Sequence, residues 1–415
     1  MGIERFFFIV AVASKPMWWL IGFILHEMAF GLLSIFVPLY ITGTLGGSLT
    51  DVGIMAAGAN FIAVPFSFFW GYLSDKTRHY RFYILFSFAG MSVFLYLFSL
   101  TNVVSVLIGL YIAIAIFHVA HEAPKNVLIS EYYSRPEWEK SFASYEALTE
   151  VGWLSGLVLG FVLSGYGFSG TSLIILCGIL NLVAFAVSFF LVKDPLFVFE
   201  RRLVAIEKVF DFAQRGFSLA SKALDGMPVN ESLRRESVSA FCVGLLLFSL
   251  ATGMLFTPLP VFFSDSLRLS QSVVFGVFVF NTFGGLMGYV LARRKAEQLN
   301  GKSVVKRANL VRCVLSLLLI SAAVWASVFT LSLAVLVLAV MGLVYGFFLI
   351  STLSLSMEII PEGKAGAFNA IVGLGGALGC FLGTYTAANY GFPALFVVAG
   401  AGFFLSYIAF KIFTR

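Results

Sequence analysis

The sequence predicts an all-α integral membrane protein, with twelve transmembrane helices in two pseudo-symmetric six-helix bundles. Three observations lead there. The 415 residues are 60% hydrophobic and only 12% charged, with a mean hydropathy of +0.97, a balance that water-soluble domains do not have. Apolar runs of about 20 residues or more recur along the chain, each long enough to cross a hydrocarbon layer of ~30 Å as a helix. These runs are continuous, where the strands of a membrane barrel would alternate over short segments. Finally, the second half of the chain echoes the first.

The predicted spans are 17–42, 51–73, 82–101, 103–130, 141–165, 171–193, 237–264, 270–291, 305–327, 331–358, 364–390 and 391–414. The leading stretch "MGIERFFFIVAVASKPMWW" lacks a small-residue cleavage site and runs into a full span, so it is expected to stay attached. Span one carries "ILHEMAF", with His26 and Glu27 well inside the apolar run. Span two ends in the polar corner "GYLSDKTRHYR". Span four holds "FHVAHEAPKNV", in which His118, His121, Glu122 and Lys125 follow i, i+3, i+4, i+7 and share one face. An ionised group facing lipid costs about 3 kcal/mol or more, so that face should look inward. Pro124 should kink the helix there. Span five carries Glu146 and Glu150, an i, i+4 pair, and then Gly152, Gly156 and Gly160.

The one long polar segment follows span six, after "KDPLF". Within 194–236, Phe199, Leu203, Ile206, Phe210, Ala213, Phe217, Ala220 and Leu224 form one helical stripe, which reads as an amphipathic helix lying on the bilayer surface. The chain thus divides into an N-terminal bundle (1–193), a linker (194–236) and a C-terminal bundle (237–415). In the second half, Gly375, Gly379 and Gly383 repeat the span-five glycines at an offset of 223 residues, and Phe368 repeats Tyr145. Small residues every fourth position let two helices approach closely. "FVPLY" (36–40) is echoed by "FTPLP" (256–260), and Gly71-Tyr72 by Gly288-Tyr289.

With the N-terminus inside, 24 of the 27 lysines and arginines fall in inner segments and only Arg268 in an outer loop. The positive-inside rule then puts both termini in the cytoplasm of a multi-pass plasma-membrane protein. The formal charge of +6 is met by anionic lipid rather than nucleic acid. Of the two basic residues inside spans, Lys125 lies beside Glu122. Arg312 is read as reaching back to the cytoplasmic surface. Cys177, Cys242, Cys313 and Cys380 all fall in spans without metal-binding spacing and are read as buried thiols. No motif requires a metal or cofactor, and ligation by His26, His118 and Glu122 is not favoured.

The corner between spans two and three resembles the signature loop of the major facilitator superfamily, G-x-x-x-D-[RK]-x-G-[RK]-[RK]. Gly71, Asp75 and Lys76 match in place. Arg78 stands where a glycine is usual, His79 and Tyr80 replace two basic residues, and Arg81 follows. The second copy keeps Gly288 but has Ala292 for the aspartate. "EIIPEGKAGA" (358–367) is also similar to the family. The resemblance implies that Gly71, Asp75, Lys76, Arg78 and Arg81 form a gating loop, with Asp75 bonding near the start of span eleven. It also implies that spans one, four, seven and ten line a central cavity. His26, Glu27 and the span-four stripe would form a wet, charged wall opposite the hydroxyls and aromatics of spans seven and ten, among them Thr252 and Tyr345.

The functional expectation is a proton-coupled secondary transporter of a small solute, working by alternating access as a monomer. Glu27, Glu122 or Glu150 would carry the proton, with Glu27 preferred. Glu146 and Glu150 have Arg135 and Lys140 as alternative partners. Efflux of lipophilic, drug-like compounds is one direction, but span five keeps Gly152, Gly156 and Gly160 while lacking the proline and one glycine of the drug-antiporter motif. Uptake of a small organic anion or other metabolite is the alternative, and a non-transporting sensor or scaffold the alternative of another class. No enzyme motif is present.

Overall fold

The computed structural model describes residues 18–132, 138–168, 170–194, 238–294, 300–325, 328–359 and 365–413; the expected linker helix lies outside these residues. Apart from short connections the described residues are helical, with no strand among them. In chain order the helices are α1 (Ile21–Leu39), α2 (Leu49–Thr77), α3 (Tyr80–Ser99), α4 (Val104–His118), α5 (Glu122–Tyr132), α6 (Trp138–Gly165) and α7 (Gly170–Leu191). The second half holds α8 (Val238–Phe256), α9 (Leu259–Val261), α10 (Gln271–Arg294), α11 (Gly301–Val324), α12 (Val328–Ile359) and α13 (Ala365–Phe413).

Eleven described segments are long and apolar enough to cross a membrane, against the twelve expected. The difference lies in α13. Its apolar part spans 46 residues, about 70 Å as a straight helix, twice what a bilayer needs. Gly391, with φ 83° and ψ 167°, breaks it ahead of Pro393. The packing shows the chain doubling back at that point. Gly375, Gly379 and Gly383 lie against Leu246, Leu250 and Met254 in rising order along α8. Beyond Gly391 the order falls: Gly402 faces Ala251, Ser406 donates to the Gly244 carbonyl at 2.7 Å, and the Phe410 ring meets Phe241 at 5.8 Å. Two antiparallel crossings are therefore joined at Gly391.

Close approach is what the glycine rows provide. Gly152 and Gly156 seat on the carbonyls of Ile24 and Met28, and Gly375 and Gly379 seat on those of Leu246 and Leu250. The α6–α1 and α13–α8 pairs are thus the same contact made twice. The register of the repeat is also settled by backbone. A π-turn at Tyr40–Thr44 ends α1 and is followed by Gly46 at φ 66°; another at Phe262–Ser266 is followed by Arg268 at φ 53°. In this register Pro38 corresponds to Pro260. The echo of "FVPLY" in "FTPLP" pairs Pro38 with Pro258 instead, two residues early. The copies then diverge, since α2 has 29 residues and α10 only 24.

Each half packs α2 or α10 onto the other: α2 lies along α13, and α10 along α6. Contacts between halves gather at the end away from the basic loops. There Ser272 donates to the Phe161 carbonyl at 2.7 Å, Gly160 seats on Phe275, and Gly53 on Thr384. Deeper in, Asn60 reaches the Cys380 sulfur at 3.4 Å.

At the basic-loop end, α2 stops at Arg78, which takes φ 59° and donates its N–H to the Ser74 carbonyl at 2.7 Å. This left-handed position explains the usual glycine there: a side chain costs about 1–2 kcal/mol in that conformation. The Arg81 N–H donates to Asp194 at 2.7 Å and its guanidinium to the Phe189 carbonyl, tying the corner to the end of α7. Gly71 passes Ala123, Lys76 lies over Tyr72, and Asp75 is exposed. Its expected partner region, 360–364, lies outside the described residues.

Candidate functional site: the chamber between the halves

The break in span four organises the N-terminal half. Pro124 has no N–H for the Ala120 carbonyl, so α4 tightens into a 3-10 turn at Val119–His121 before α5 begins. The turn points His118 and His121 towards α1. Six of the eight predicted side chains then form one connected chain. His26 Nε2 lies 2.9 Å from His118 Nδ1. The His121 ring stands 4.8 Å from His26, centroid to centroid, and its Nε2 lies 3.3 Å from Glu122 Oε1. Lys125 Nζ bonds Glu122 Oε2 at 2.8 Å, sits 4.1 Å from the centre of the buried Tyr145 ring, and has Glu146 at 3.9 Å.

These groups divide into two environments. His26 and His121 are fully buried among Phe23, Phe88, Ser87 and Asn181, inside the N-terminal half. The sequence reading expects them on a wet cavity wall; instead the 3-10 turn brings His121 into the bundle, where His26 is held from α1 by Asn181 and His118. The carboxylates occupy the accessible side: the Glu146 side chain is 67% exposed and that of Glu122 38%. Glu27 is half-buried, packs beside Gly152, and makes no hydrogen bond among the described residues. Arg135 and the side chain of Lys140 lie outside the described residues. Glu150 instead accepts from Tyr289 of the other half at 3.5 Å.

Glu150 also lines a cavity of about 260 Å³ between the halves, with Trp153, Thr252, Phe256, Asn281, Tyr289, Arg312 and Tyr345 around it. Arg312 corrects the sequence reading. It does not reach the surface: α11 begins at Gly301, four residues earlier than expected, so Arg312 stands mid-helix and is 1% exposed. Its guanidinium donates to Thr252 Oγ1 at 2.7 Å and lies 4.9–5.4 Å from the ring centres of Phe248, Phe256, Tyr345 and Phe403. No carboxylate pairs with it among the described residues, and its Nε has no partner. A buried cation of this kind is costly unless something completes its environment. The signal available in the sequence was the arginine inside an apolar run, which marks function by default.

The Major Facilitator Superfamily model matches residues 19–384. The chain belongs to this superfamily. Comparison with curated protein sequences finds no match. Among solved structures, the nucleoside transporter NupG is similar at 14% identity, with a TM-score of 0.70 over 96% of this chain and 98% of that one. A tetrameric PepTSo2 is similar at 15% identity and a TM-score of 0.74, over 95% and 97%. At these identities the likeness speaks to the fold. This facilitator is therefore a multi-pass secondary transporter rather than an enzyme.

Proposed function

We propose that this facilitator is a proton-coupled transporter of a small organic anion, held here in the state open towards the basic-loop end. By the positive-inside rule that end is the cytoplasm of a plasma membrane, with both termini there. The buried guanidinium of Arg312 carries the reading. It reaches the cavity from the C-terminal half with one polar partner, and a substrate carboxylate or phosphate is what it lacks. The cavity is at the small end of ligand sites, and its aromatic walls suit a planar or apolar body behind the anionic group.

Glu150 faces the same cavity from the other half. Ionised, it repels an anion; protonated, it does not. Proton and substrate thus favour each other's binding, which is symport by linkage. Glu27, Glu122, Lys125 and Glu146 form the charged approach. Asp75, Lys76, Arg78 and Arg81 at the corner after Gly71 act as the gate that holds the opposite state. Efflux of lipophilic compounds is a second reading, supported by Trp153, Phe256, Tyr289 and Tyr345 in the wall. Uptake of labelled carboxylates, zwitterions and lipophilic cations into proteoliposomes, with and without a pH gradient, tests both. Gradient-driven uptake of an anion that Arg312→Met abolishes supports the first. Transport of lipophilic cations with no anion uptake overturns it.

A further inference from the structure

His26, His118 and His121, two of them fully buried and His118 partly so, have no part in that mechanism, and their geometry asks for another explanation. Asn181 Nδ2 donates to the Cys177 carbonyl at 2.9 Å, which fixes the amide and turns Oδ1 to His26 Nδ1 at 2.7 Å. Because Oδ1 only accepts, His26 carries its proton on Nδ1 and presents the Nε2 lone pair to His118. Ser87 Oγ lies 3.2 Å from His121 Nδ1, leaving the buried Nε2 of His121 without a hydrogen bond. One nitrogen from each of His26, His118 and His121 lies within 4.8 Å of the others. Two of the three rings are thus held from behind by neutral polar groups, the arrangement that orients imidazoles around a metal.

We infer that His26, His118 and His121 form a resident site for a divalent transition metal of the zinc class, separate from the transport cavity. Neutral imidazoles suit zinc, copper or nickel. Bonds of about 2.0–2.1 Å would require the 2.9 Å pair to part slightly and His121 to draw in. His118, neutral with its proton on Nδ1 where it faces His26, shifts to the Nε2–H tautomer on ligation, which frees the Nδ1 lone pair for the ion with no net loss of a proton. Glu122 Oε1, 3.3 Å from His121, is placed to supply a fourth ligand or the balancing charge. Phe23, Phe30 and Phe88 cover the rings, so the ion is held rather than carried, and it ties α1 to the break between α4 and α5.

Tag-free protein in detergent, stripped with chelator, is titrated with Zn²⁺ by calorimetry and with Co²⁺ by visible absorption. The expected result is one site per chain, with Co²⁺ showing the intense bands of four-coordinate ligation by three nitrogens and one oxygen. His26→Ala and His118→Ala should each remove it. Asn181→Ala and Ser87→Ala, which leave the ligands in place, should weaken it roughly 10- to 100-fold. His79→Ala, the remaining histidine, should have no effect. Absence of a stoichiometric site in the wild type, or equal affinity in the His26→Ala and His118→Ala proteins, overturns the inference. The wild-type titration decides even where a variant fails to fold. Zn²⁺ accumulation in proteoliposomes would overturn the resident role.

Discussion

Arg312 and Glu150 invite the sharpest tests at the scale of single side chains. Arg312→Met fills similar volume without charge; anion uptake should fall at least tenfold while the detergent melting temperature holds or rises, because a buried unpaired cation is removed. Arg312→Lys should rescue uptake poorly, since an ammonium cannot make the planar two-point contact. A melting temperature that drops sharply in Arg312→Met would mean that the guanidinium is structural. Glu150→Gln should abolish gradient-driven accumulation but leave exchange of labelled for unlabelled anion intact. Persisting accumulation would move the proton elsewhere, with Glu27 next. The span-four part of the N-terminal cluster was legible because His118, His121, Glu122 and Lys125 stand at helical spacing, whereas the contacts that His26 and Glu146 make with them from α1 and α6 are not contained in that spacing. Arg312 was misplaced because its importance depends on where α11 starts and on four rings drawn from α8, α12 and α13, which spacing along one helix does not contain.

Among the elements, the glycine rows were the most legible feature, since four-residue spacing specifies a face directly. Gly156→Val and Gly379→Val push a side chain into the carbonyls of Met28 and Leu250, where backbone cannot yield. Both should lose folded protein in fluorescence size-exclusion chromatography, whereas Gly376→Ala, which meets open space, should be neutral. Pro124 was equally readable as an interruption, but not its effect on the histidines. A proline says that a helix breaks; the tightness of the following turn decides which way His121 faces. Arg78→Gly should preserve the corner after α2, gaining about 1 kcal/mol from relief of the left-handed backbone, and can be followed by thermal unfolding. The break falls at Gly391, where the expected spans 364–390 and 391–414 meet; Gly-Phe-Pro there is turn chemistry inside a run too long for one crossing.

For the whole molecule, the two-bundle architecture followed from hydropathy and the repeat, while the relation between bundles did not. The halves meet where Ser272 reaches Phe161 and Gly165, and a Cβ on Gly165 would lie 4.0 Å from that of Ser272. This is within disulfide range. Oxidised Gly165→Cys/Ser272→Cys protein should be locked and inactive, and reductant should restore uptake. Unimpaired transport in the crosslinked protein would mean that this seam does not open. Where α2 packs on α13 and α10 on α6, Gly53 and Gly160 make room for the Thr384 side chain and the Phe275 ring of the other half.

The cavity's two charges belong to different halves, and neither travels. In the symport proposed above, the anion crosses together with the proton that neutralises Glu150, so a monovalent anion moved with one proton carries no net charge. A voltage that would shift an unbalanced ion by about 2.3 kcal/mol per 100 mV should therefore leave the rate unchanged, and a potassium diffusion potential imposed with valinomycin measures this electroneutrality directly.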